Sequence, residues 1–179
     1  ALEAGVVTPE TKVSCPGYIE FGERRFHCWK RGGHGTVRLE RSLAESCDVY
    51  YYEVAQKVGI DKIADMGRRL GLGHRFDLPM SAVTEGIMPD KAWMLERYKQ
   101  DWRIGDTINA SIGQGYVLAS PLQLAVMTAR VASGRAVTPR LVRMVNDKEV
   151  PVIDAPPLDI PPEYLAAVRG GMNEVVNGE

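Results

Sequence analysis

The cysteines constrain this chain more than any other feature. All three, Cys15, Cys28 and Cys47, fall within the first 47 of 179 residues, and His34 lies between the second and third. Twelve, five and twelve residues separate successive members of that set. An odd number of cysteines confined to one end does not suit a disulfide framework. The stretch that carries them, CPGYIEFGERRFHCWKRGGHGTVR over residues 15–38, mixes Gly, Cys, His and charges with no sustained apolar period. It reads as a loop or short hairpin that cannot build a core of its own, so something else must hold it. Three thiolates and one imidazole complete the tetrahedral shell of a structural zinc, with no open position left for water. Metal binding can then replace the missing core as a source of folding energy. The spacings are longer than in a compact zinc finger, and residues 15–47 are a candidate zinc-binding loop. His27, beside Cys28, competes with His34 as the fourth ligand, although adjacent residues in an extended segment point opposite ways. A disulfide between two of the cysteines and three unrelated buried thiols are the alternatives.

The rest of the chain is an ordinary globule by composition. Apolar residues make up 45% and charged residues 25%, which excludes disorder, collagen and coiled coil. A net charge of −1 gives no global field to attract a nucleic acid. No apolar run approaches the roughly 18 residues needed to cross a bilayer. Ala1 to Ala4 read as the end of a helix released by Gly5. From Leu39 to Leu70 the spacing turns helical and predicts two or three short helices. Tyr50, Val54 and Val58 share a face of one that Gly59 closes, and Ile63, Met66 and Leu70 supply the buried side of the next. Residues 72–110 are the least regular, with one helix expected from Asp90 to about Lys99 and Trp93, Leu95 and Tyr98 facing inward. The clearest helix start is Ser120-Pro121-Leu122-Gln123, with Ser as N-cap, Pro at N1 and Gln at N3. Leu124, Ala125, Met127, Thr128 and Val131 run on at helical spacing to Ser133-Gly134. Leu141 to Val145 reads as a strand and Pro151 to Pro162 as an extended connection. A last helix from Pro161-Pro162-Glu163 buries Leu165, Val168, Met172 and Val176. Gly113-Gln114-Gly115 lacks the Lys-Ser/Thr of a P-loop and reads as a turn. Tyr50-Tyr51-Tyr52 reads as partly core, and Lys30-Arg31 and His74 as surface.

Ser46-Cys47-Asp48 alone is a chance pattern, but its surroundings are not. The run TVRLERSLAESCDVYYYEVAQKVGIDKIADMGRRLGLG resembles the second active-site motif region of class B penicillin-binding proteins. Its Ser-x-Asn element appears as Ser-x-Asp in the penicillin-binding protein 2 branch. IGQGYVLASPLQLAVMTARVASG and WKRGGHG are similar to two further segments of that branch, in the same order. The resemblance covers essentially the whole chain. It implies an α+β architecture, the penicillin-binding-protein/β-lactamase-like transpeptidase fold, with this stretch mainly its helical part plus short strands. Residues 1–179 would then be a partial transpeptidase domain. The Ser-x-x-Lys nucleophile motif is expected upstream of Ala1, and the Lys-Thr-Gly or Lys-Ser-Gly motif downstream of residue 179, because neither occurs in the chain.

The reaction that the resemblance implies is acyl transfer in cell-wall elongation, a serine attacking the D-Ala-D-Ala amide of a peptidoglycan stem peptide. β-lactams would acylate the same serine. Ser46 takes the role of a proton relay between the lysine base and the leaving amine. Asp48 stands where most relatives have Asn and would orient substrate or accept a hydrogen bond from that lysine. The stretch alone, with neither nucleophile nor base, is expected to be inactive. Some members of the branch carry a metal site whose residues correspond to Cys15, Cys28, His34 and Cys47, so a bound zinc would clamp the loop that aims Ser46 and Asp48. The resemblance also implies the periplasmic face of a bacterial inner membrane, with a polytopic glycosyltransferase and the elongation machinery as partners. Two other readings stay open: a zinc-stabilised interaction module in which Ser46 has no catalytic role, and a β-lactam sensor of the same fold without turnover.

Overall fold

The computed structural model describes residues 1–81 and 83–178. Its helices begin where the spacing of Leu39 and Leu43 begins. Three follow in close succession, α1 (Leu39–Ala44), α2 (Asp48–Val58) and α3 (Ile60–Arg69). The sequence places α2 at the centre because it is apolar on more than one side: Val49, Tyr50, Tyr52, Val54 and Ala55 are all buried. It packs on α5 (Ile104–Ala110) and on strands β1 (Val13–Cys15), β2 (Tyr18–Phe21) and β3 (Arg24–His27). Gly59 ends it, as expected, at φ 81°. On α3 the buried side is Ile60, Ala64 and Gly67, and Ile63, Met66 and Leu70 are only half-buried. The thioether of Met88 comes so close to Gly67 that a Cβ there would meet it at 2.8 Å, so a small residue faces inward.

Residues 13–37 form two antiparallel ribbons. β2 and β3 make a hairpin with Ile19 opposite Phe26. β1 closes against β4 (Gly35–Val37), pairing Cys15 with Gly35. Ile19, Phe26 and Val37 join the core beneath α2.

Further along, α4 (Lys91–Tyr98) starts on the Asp90 side chain, which accepts from the Trp93 N–H at 2.7 Å. Its inward residue is Met94, whereas Leu95 and Tyr98 are exposed, contrary to the expected face. Tyr98 instead stacks with Trp93 and Tyr116 in a surface aromatic cluster, with ring centroids 5.5 Å apart. The helix α5 is not anticipated by its sequence, IGDTINA, which is poor in helix formers. Burial of Thr107, Ile108 and Ala110 against α2 outweighs that preference. In α6 (Pro121–Ser133) both bonds of the expected capping box are present. Its buried residues are nevertheless Gln123, Val126 and Arg130, and Leu124 is exposed. The polar pair is buried because it is bonded: Gln123 Nε2 donates to the carbonyls of His74 and Glu85, and Arg130 donates to those of Arg69 and Val137.

The expected strand at 141–145 shrinks to β5 (Met144–Val145), paired only with β6 (Lys148–Glu149), and all four residues are exposed. The last helix, α7 (Pro162–Asn177), packs on α1 and α6, burying Leu165 and Gly171. Val168 and Met172 are half-buried and Val176 is exposed, because only the first part of α7 lies against the body. Mainly helices with short strands, the architecture is the one the sequence predicts. Among the described residues, no helix is long and apolar enough to cross a membrane.

Candidate metal centre and serine cleft

Cys15 ends β1, Cys28 follows β3, His34 precedes β4 and Cys47 precedes α2. The two ribbons and the α1–α2 connection therefore converge on one point. The four side chains are buried, and their ligand atoms all lie within 4.8 Å of one another. His34 Nδ1 is 3.6 Å from Cys15 Sγ and 3.4 Å from Cys28 Sγ. A tetrahedron with metal–sulfur bonds of about 2.3 Å has edges of roughly 3.7 Å, so these separations suit a shared ion. His27 is exposed and outside the group, and no pair of the cysteines is bridged. Two glycines let the backbone close around the site. Gly17 (φ 100°) and Gly33 (φ 76°) lie so near the opposing chain that a Cβ would meet the Arg31 carbonyl oxygen at 2.2 Å and that of Cys15 at 2.1 Å.

Burial pushes the Cys47 thiol up to about 12, and the neighbouring Cys15 and Cys28 sulfurs add to the push against the Tyr50 N–H. Burial likewise raises Cys28. Burial thus disfavours the thiolate forms of Cys28 and Cys47, and a cation among the sulfurs favours them. The donor set and its spacing fit a thiolate-preferring metal such as zinc.

Ser46 sits one residue before this cluster, in the left-handed region at φ 50°. The geometry is a Schellman closure of α1. The Ser46 N–H bonds back to the Leu43 carbonyl at 3.2 Å, and the Cys47 N–H to that of Ser42 at 2.9 Å. Ser46 is thereby turned out to solvent while Cys47 is turned wholly inward. Asp48 opens α2 at its positive end and makes no side-chain cap. Its Oδ2 instead accepts from the Trp29 N–H at 2.8 Å, and the Trp29 indole N–H donates to the Glu45 carbonyl at 3.0 Å. The residue after Cys28 is thus bonded on both sides of Ser46.

Ser46 and Asp48 share an open cleft of about 280 Å³ with Ser42, Tyr51, Ser111 and Gln114. Ser42 Oγ lies 3.3 Å from the Tyr51 hydroxyl, whose ionisation burial pushes up to about 12. The cleft is therefore a neutral hydrogen-bonding surface with one carboxylate. Sequence reasoning missed Trp29, Glu45 and Ser111. No pattern marks a tryptophan after a cysteine, and only the four-residue spacing of Arg41 and Glu45 pointed to an ion pair.

Comparison with known proteins identifies the family of the chain. Residues 1–179 match the family model described as the penicillin binding protein transpeptidase domain. The peptidoglycan D,D-transpeptidase MrdA of Escherichia coli K12 is 35% identical over 185 aligned residues, which cover 99% of this chain and 29% of that protein. The chain thus spans under a third of the length of that curated relative. Among solved structures, Pseudomonas aeruginosa PBP2 in complex with WCK 5153 is 36% identical with a TM-score of 0.90, over 99% of this chain and 40% of that one. Helicobacter pylori PBP2, solved as a complex with MreC, is 34% identical with a TM-score of 0.87, over 99% of this chain and 34% of the other.

Proposed function

Because the chain belongs to the penicillin-binding protein transpeptidase domain family, we propose that it is the Ser-x-Asp-bearing part of a peptidoglycan D,D-transpeptidase. That enzyme cross-links stem peptides through a serine acyl-enzyme and is acylated by β-lactams. The observation that carries this reading is the presentation of Ser46, held outward by the closure of α1 over a polar cleft shared with Asp48. The nucleophile and its lysine base are supplied by other parts of the intact protein. Ser46 relays the proton between that lysine and the leaving amine, and the Asp48 carboxylate accepts a hydrogen bond from the lysine while its Oδ2 fixes Trp29.

Cys15, Cys28, His34 and Cys47 hold a structural zinc in this reading. Bound there, the ion lowers the thiol pKa values and ties both ribbons to the start of α2, with no part in the acyl transfer. The intact protein works at the periplasmic face of the inner membrane, with a polytopic glycosyltransferase and the elongation machinery as partners. A solved relative in complex with MreC supports the last assignment.

The test is covalent labelling of the intact protein with a fluorescent penicillin. Wild type labels, and Ser46→Ala labels about 10²- to 10⁴-fold more slowly, as expected for loss of a positioned proton carrier. Equal rates for the two would leave Ser46 without a catalytic role and favour the zinc-stabilised module. Labelling with no transpeptidation of a donor stem peptide would favour the sensor.

A further inference from the structure

Glu45 is the residue between the body of α1 and Ser46, and its carboxylate reaches the far side of His34. The His34 ring turns Nδ1 to the sulfurs, which leaves Nε2 on the opposite edge. Nε2 is buried, with no hydrogen-bond partner among the described residues. Glu45 Oε2 lies 3.8 Å from it, one small side-chain rotation from a hydrogen bond, and the His34 side chain is 0% exposed. An imidazole that offers one nitrogen to a metal carries its proton on the other, and that N–H ordinarily goes to a carboxylate. Glu45 is itself held on two further sides: Arg41 Nε pairs with Oε1, and the Trp29 indole N–H donates to the main-chain carbonyl.

We propose that Glu45 is a positioning residue, whose carboxylate accepts the Nε2–H of His34, fixes the tautomer that presents Nδ1 to the cysteines, and couples the metal centre to the adjoining Ser46. It serves the metal through His34 and touches neither metal nor substrate. The proposal rests on the zinc reading above.

Its test is metal affinity in the intact protein, stripped with a chelator and titrated with Co²⁺ and then Zn²⁺. Cobalt–sulfur charge-transfer absorbance reports thiolate ligation, and chelator competition reports affinity. Wild type shows the sulfur bands. Glu45→Ala keeps them but binds 10- to 100-fold more weakly. Glu45→Gln, whose amide oxygen still accepts from Nε2–H, falls between the two. Arg41→Ala removes the ion pair and leaves the carboxylate, so its affinity stays within about threefold of wild type, below the loss expected from a direct outer partner. Full affinity in Glu45→Ala overturns the proposal, and so does a loss in Arg41→Ala equal to that in Glu45→Ala. Absence of cobalt–sulfur bands in wild type is a different failure: it ends the zinc reading, and the role of Glu45 with it.

Discussion

Ser46 holds a backbone conformation that serine seldom takes, at the C′ position where a Schellman closure usually has glycine. A non-glycine residue there costs on the order of 1 kcal/mol. Leu43, Ser42 and the buried Cys47 hold it in place. Strain of this kind persists where the surroundings over-determine it, typically at functional positions. Ser46→Gly is therefore expected to raise the unfolding free energy, by up to about 1 kcal/mol less the extra freedom of glycine in the unfolded chain. Ser46→Ala, still with a Cβ, stays within about 0.5 kcal/mol of wild type. In the proposed mechanism both lose the relay, so penicillin labelling is expected to fall in each while denaturant midpoints separate them. A lower midpoint for Ser46→Gly would show that the position carries no strain. The residue type and its neighbours pointed to Ser46, but its conformation was illegible, because nothing in AESCD marks a left-handed closure.

Among the elements, α6 shows how a sequence signal can be right for more than its reason. Ser120 and Gln123 were readable as a capping box because that device is local, set by residues three apart. The Gln123 side chain also donates to the carbonyls of His74, 2.9 Å away, and of Glu85, 2.6 Å away, pinning both of these positions to the helix. Those partners lie 49 and 38 residues away in sequence, beyond any periodicity. The same distance explains why the burial of Gln123 and Arg130 is not legible in the helical spacing of this stretch: it depends on acceptors that only the fold supplies. Ser120→Ala is expected to cost about 1 kcal/mol, the usual loss of an N-cap. Gln123→Ala removes the reciprocal cap and the two hydrogen bonds of its buried amide to the His74 and Glu85 carbonyls, each worth about 0.5–1.5 kcal/mol, so it should cost at least twice as much. Equal losses in urea unfolding would mean that the two carbonyls find water instead.

At the scale of the whole molecule, residues 13–37 depend on what they converge on. Each ribbon has strands of three or four residues, and a lone two-stranded ribbon is marginal in water. Their apolar contribution to the shared core is small, chiefly Ile19, Phe26 and Val37; the remaining buried side chains there include the candidate metal ligands themselves. That set was legible as a list of donors, since thiols and an imidazole are conspicuous. The ribbons that gather them were not, because such short strands carry no alternation to read. With zinc bound, the cluster closes three chain segments at once; chelation should therefore loosen the ribbons and the α1–α2 connection together, while α6 and α7, joined by Arg169 Nε on the Val131 carbonyl at 2.9 Å, stay protected. Hydrogen exchange on the intact protein reads this directly. A local loss of about 1.4 kcal/mol speeds exchange tenfold, so at least a tenfold rise is expected over 13–47 and little change over 121–133. Cys47→Ala should reproduce the pattern without chelator and slow penicillin labelling in parallel, because the clamp and the Ser46 loop share a backbone. Uniform exchange with and without chelator, at unchanged labelling, would mean that the serine cleft is aimed by the α1 closure and the Trp29 bonds alone.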